Sequence, residues 1–147
     1  MSTTTTRKAR KDLLATDAGV ADLVAKFEAG TLPQNQWTHR AHLAVAATYL
    51  REYAFPDALA RIRERIQLFN NRCGPREGYH ETITTVFMRA VAAYLETHPI
   101  GGVAEALPDL AATYDMAWLK RFYSADALAS DAAKGGWVEP DLRELEY

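Results

Sequence analysis

Four histidines, His39, His42, His80 and His98, carry most of the side-chain chemistry that this sequence offers. His39 and His42 stand three residues apart, so on a helix they lie about 60° from one another and flank a single face. His80 is expected at the centre of the inward stripe of another helix. All three fall near a helix N-terminus, where the positive end of the dipole disfavours protonation and leaves a lone pair for a ligand. Neutral imidazole is the form that binds a metal, and three histidines with an open position make a familiar coordination set. The expected cofactor is a divalent ion (Fe, Zn, Mn, Ni or Cu) on His39, His42 and His80, activating a water or polarising a substrate oxygen.

Around this set the sequence offers further candidates. Glu81 sits about 100° around the helix from His80 and reads as a general base or as a partner to a ligand, which makes His80 and Glu81 the candidate catalytic pair. With equal weight, Glu81 is an acidic residue that stabilises the first turn of its helix. Trp37, Phe87, Tyr114 and Trp118 are the expected pocket walls, and Arg76 would orient an anionic substrate group. Cys73 reads as a soft ligand, a nucleophile or an incidental loop thiol, and Asp115 as an extra ligand. His98 lies more than four turns from His80 and reads as a C-terminal cap or surface residue.

The elements that must position these residues follow from caps and periodicity. A first helix is expected from Asp17, as N-cap, to Ala29, with Gly30 at C′ and Val20, Leu23, Val24 and Phe27 inward. A second runs from Thr38 to about Tyr53 with His39, His42, Leu43, Ala46, Leu50 and Tyr53 inward. Pro56 closes it, and Asp57 opens a third that reaches about Phe69 and turns Leu59, Ile62 and Ile66 inward. Asn70 to Gly78 reads as a loop. A fourth helix spans Tyr79 to His98 with His80, Thr84, Phe87, Val91 and Leu95 on its stripe. After Pro108 a fifth covers Asp109 to Phe122, followed by a short helical segment from Ser124 and an extended tail from Trp137 to Tyr147. Short connections favour antiparallel neighbours, so the second and fourth helices point the same way and bring the three histidines to one end.

The 147-residue composition agrees with this architecture. Ala (26) and Leu (15) far outnumber Val (7) and Ile (4), the balance of helices rather than strands. The fold class expected is all-α, an up-and-down bundle of about five helices with a short extended C-terminal tail. Met1 to Lys11 is expected as a disordered leader and residues 12–147 as a single domain. A net charge of −2 supplies no basic field for nucleic acid, no run of apolar residues reaches membrane-spanning length, and one cysteine fits a reducing compartment. The chain is therefore expected to be cytoplasmic, with a small molecule as its partner.

The segments Trp37-Thr38-His39-Arg40-Ala41-His42-Leu43 and Gly78-Tyr79-His80-Glu81-Thr82-Ile83-Thr84 resemble those of a group of small uncharacterised bacterial helical proteins. Trp137-Val138-Glu139-Pro140-Asp141-Leu142 looks like theirs too, so the resemblance spans most of the chain, and it implies no particular reaction. More loosely, the chain is similar to DinB-like bundles, which bind a metal through three histidines. Their pair is spaced H-x-x-x-H and follows the single histidine, whereas here H-x-x-H comes first.

The leading expectation is thus a metal-dependent enzyme acting on a small molecule, of hydrolase, lyase or non-haem oxygenase type. A metal-free binding module with a histidine-lined pocket is the alternative, as is a cofactor-free enzyme using His80 and Glu81 as an acid–base pair. A third reading is an interaction protein whose Arg61, Arg63 and Arg65 face, with Arg51, meets an acidic partner.

Overall fold

The computed structural model describes residues 12–73 and 78–147. The chain is an all-α bundle, and no strand occurs among the described residues. The long helices are α1 (Asp17–Ala29), α2 (His39–Glu52), α3 (Phe55–Cys73), α4 (Glu81–Thr97) and α5 (Val103–Thr113). Three short ones follow: α6 (Met116–Leu119), α7 (Ala125–Ala129) and α8 (Asp131–Gly135). A 3₁₀ turn at Gln34–Gln36 joins α1 to α2.

Helix α2 is the centre of the bundle and packs against α1, α3, α4 and α5. Its sequence explains why. Ala41, Ala44, Ala46 and Ala47 are buried together with Leu43, Val45 and Tyr49, so small side chains on several faces let four neighbours approach closely. The moderate helix propensity lost at Val45 and Thr48 is outweighed by this burial, since packing supplies most helical stability in proteins.

Side-chain caps set most helix starts. Thr16 accepts from the Gly19 amide at 3.0 Å, Thr38 from Ala41 at 3.2 Å, and Ser124 from Ala127 at 3.0 Å. Gly30 closes α1 with φ of 76°, the left-handed conformation that glycine adopts without cost. Helix α5 is capped from outside. Gly102 at its N-cap has no side chain, and Asp17 of α1 reaches the Ala104 amide at 3.0 Å in its place. A Cβ at Gly102 would collide with the Asp17 carboxylate, so a side chain there would have to displace this cap.

Several sequence expectations are corrected. Asp17 is the first residue of α1, and its cap is Thr16. Pro56 does not close α2 but sits in the first turn of α3, where a missing amide hydrogen costs nothing. Asn70 to Cys73 continue α3 instead of forming loop. The fifth helix starts at Val103, carries Pro108 on its exposed side, and stops at Thr113 instead of reaching Phe122. Asp115 then caps α6 by accepting from the Trp118 amide at 2.8 Å, which accounts for an aspartate considered as a ligand. The expected leader, Met1 to Lys11, lies outside the described residues.

The C-terminal tail is fastened to α4 and to the segment after α6. Buried Thr82 donates to the Gly136 carbonyl at 2.6 Å and accepts from the Val138 amide at 3.1 Å. Fully buried Tyr123 donates to the Val138 carbonyl at 2.7 Å, and Arg89 lies 4.1 Å over the Trp137 ring.

Candidate functional site

A cavity of about 510 Å³ opens between α2, α3 and α4, within the range of small-molecule sites. His39, His42 and His80 all border it, so the N-terminal ends of α2 and α4 do share one end of the bundle. Trp37 and Phe87 border it too, together with Ile62 and Ile66 of α3. No Lys, Arg, Asp or Glu lines it among the described residues.

Each histidine gives one ring nitrogen to a backbone carbonyl. His39 donates from Nε2 to Tyr114 at 2.7 Å, His42 from Nδ1 to Thr38 at 2.9 Å, and His80 from Nε2 to Leu128 at 2.7 Å. A carbonyl only accepts, so these bonds fix which nitrogen carries hydrogen. The Tyr114 carbonyl is free to accept because α5 ends at Thr113 and Tyr114 leaves helical geometry.

The three rings then diverge. His80 is the N-cap of α4, and its Nδ1 accepts from the Ile83 amide at 3.1 Å. Both of its nitrogens are therefore committed. His39 Nδ1 and His42 Nε2 have no hydrogen-bond partner among the described residues. Among those residues, no group of three or more His, Cys, Asp or Glu side chains is placed to hold a metal ion. The donor set as arranged does not fit a three-histidine cation site, because His80 supplies a ligand only by surrendering its cap.

His42 is the most perturbed of the three. Burial pushes its pKa down to about 4, against the Thr38 carbonyl, which favours the charged ring; His39 lowers it further. At neutral pH it is an uncharged imidazole with Nδ1–H anchored and a lone pair at Nε2. Trp37 packs on this ring at 3.8 Å between centroids and stacks on Phe27 at 4.3 Å and 13°. The indole thus pins His42 against the core at Phe27 and Phe69.

Glu81 is not a free base. Arg63 of α3 holds both carboxylate oxygens, at 2.8 and 2.7 Å, and Tyr79 and Thr85 donate to it at 2.7 and 3.2 Å. The Arg63 bonds, with those of Tyr79 and Thr85, keep its carboxyl below the usual range, while burial opposes them. This is a pin between α3 and α4. The other arginines of that face are engaged likewise: Arg61 pairs with Glu28 at 3.5 Å and lies over Tyr53, and Arg65 donates to the Glu28 carbonyl at 3.1 Å.

The remaining expected residues are placed as follows. Phe87 borders the cavity, but Trp118 packs behind it at 5.9 Å and Tyr114 contributes its carbonyl, not its ring. His98 caps α4 and stacks on Tyr94 at 3.9 Å, away from the cavity. Arg76 lies outside the described residues, and Cys73 ends α3. Tyr79, Asn70 and Met116 border the cavity without having been singled out. Ile62, Ile66 and Thr84 were legible as inward positions, whereas Met116 depends on the break after α5.

Comparison of the sequence and structure with protein-family models, curated proteins and solved structures finds no match.

Proposed function

We propose that the protein binds an uncharged, largely apolar small molecule in the cavity between α2, α3 and α4, with His42 as the main polar contact. One observation carries this reading. The described lining, mainly aromatic and aliphatic, with Asn70, Tyr79, Thr84 and two further histidines in it and no Lys, Arg, Asp or Glu, surrounds a histidine that is kept neutral and whose one free nitrogen is an acceptor. Pockets of this kind hold ligands by apolar contact and orient them with few polar groups. A base with a pKa near 4 is also poorly matched to proton abstraction at neutral pH, which favours binding over acid–base catalysis.

A second reading, a metal-dependent enzyme, draws on a specific feature. His39 and His42 each anchor one nitrogen on a carbonyl, as ligating histidines do. It requires His80 to exchange the Ile83 amide for a divalent ion such as Fe, Zn, Mn, Ni or Cu.

Thermal unfolding of the full chain with ethylbenzene separates the two, beside elemental analysis of untagged protein. The expected result is a raised Tm with ethylbenzene, abolished when Ala46→Phe fills the cavity, and no stoichiometric metal. Metal near one ion per chain, lost in His42→Phe, would overturn the binding reading in favour of the metal one.

A further inference from the structure

We infer that the ligand bound in this cavity carries a hydroxyl group, as an apolar phenol or alcohol does, and donates it to Nε2 of His42. This rests on the binding reading above and adds the chemistry of the ligand's polar group.

Besides the histidines and Tyr79, Asn70 and Thr84 are the polar side chains of the described lining, and what meets His42 is set by His42's own hydrogens. The hydrogens of His39, His42 and His80 are spent on the Tyr114, Thr38 and Leu128 carbonyls. The Tyr79 hydroxyl, also bordering the cavity, is spent on Glu81. His42 therefore offers a lone pair and nothing to give, and a ligand that meets it must donate. A carboxylate has no proton for this lone pair, and neither it nor a phosphate finds a cation in the described lining, since the nearby guanidinium of Arg63 is closed on Glu81. A bare hydrocarbon leaves the lone pair unsatisfied. An ammonium group would donate, but among the described residues it finds no lining carboxylate to pair with, so it would enter at high desolvation cost. A neutral hydroxyl meets the acceptor without either penalty.

The test is calorimetric titration of the full chain at pH 7 with matched probes. One set is 4-ethylphenol, ethylbenzene, 4-ethylbenzoate and 4-ethylbenzylamine; the other is cyclohexanol, cyclohexane and cyclohexanecarboxylate. The hydroxyl compounds are expected to bind about tenfold tighter than their hydrocarbon counterparts, the worth of one good hydrogen bond, and tighter than the charged ones. In His42→Phe the hydroxyl compounds should lose that preference over their hydrocarbon counterparts. A second readout needs no variant: the ¹⁵N resonance of His42 Nε2 should move upfield when 4-ethylphenol is added. Equal binding of ethylbenzene and 4-ethylphenol, with an unmoved Nε2 resonance, would overturn the hydroxyl inference and leave the cavity reading standing. Preference for a carboxylate or the amine would overturn it as well. Absence of binding by every probe would overturn the cavity reading and this inference with it.

Discussion

At the residue scale, the histidines were legible as a set but not in their individual duties. Position on a helix face placed His39 and His42, but His80, expected on the inward stripe of its helix, stands one residue before it as the N-cap and reaches the same cavity from there. Their hydrogen-bond partners are not local: Tyr114 lies 75 residues from His39, and Leu128 lies 48 from His80. Glu81 illustrates the same limit. Its type and place beside His80 suit a base, yet Arg63, eighteen residues earlier on another helix, occupies it. Replacing it with Gln should cost about 1.5–3 kcal/mol of stability, the range for a hydrogen bond to a charged group, and leave ligand binding unchanged. Urea denaturation and calorimetric titration check both halves; loss of binding without loss of stability would restore Glu81 as a functional group.

At the scale of elements, Thr38 and Gly30 sit at the ends of α2 and α1 as local cap chemistry dictates. The errors all involve an element whose limits tertiary packing decides. Pro108 stays inside α5 because its ring lies on the exposed side and the helix buries Val103, Ala106, Leu107 and Leu110 against the bundle. α3 continues past Phe69 although Asn70 and Asn71 are weak helix formers. His80 links this scale to the site, because an imidazole serves as N-cap where Asn, Asp or Ser is usual. His80→Ala should lose about 1–2 kcal/mol, whereas His80→Asn should recover much of it by restoring a capping acceptor. Chemical denaturation of the two variants reads the difference. Equal destabilisation by both would place the weight on the Leu128 bond rather than on the cap.

At the scale of the whole molecule, the bundle is what keeps His42 uncharged, and that has a consequence for stability. Its pKa falls from 6.5 to about 4 on folding, so between those values the unfolded chain holds a proton that the folded chain does not. Stability should therefore rise with pH from about 4 to about 6.5 and level off above, with up to about 3 kcal/mol at stake from this group. Denaturation midpoints across that window check it, and His42→Phe should flatten the slope. Composition alone announced the helical class, since alanine and leucine dominate and the central helix uses its alanines to admit four neighbours. Trp37 and Phe87 were legible as walls, but the shape of the cavity was not, because its floor depends on how α3 and α4 lean on α2, and no local pattern sets that angle.

The neutral, acceptor-only state of His42 is the point on which the binding reading turns, and ¹⁵N-edited NMR of the histidine rings over pH 4–8 measures it most directly. The expected spectrum shows hydrogen on Nδ1, a bare Nε2 and no titration until the pH approaches about 4. Titration near the ordinary 6.5, or hydrogen on Nε2 at pH 7, would contradict it.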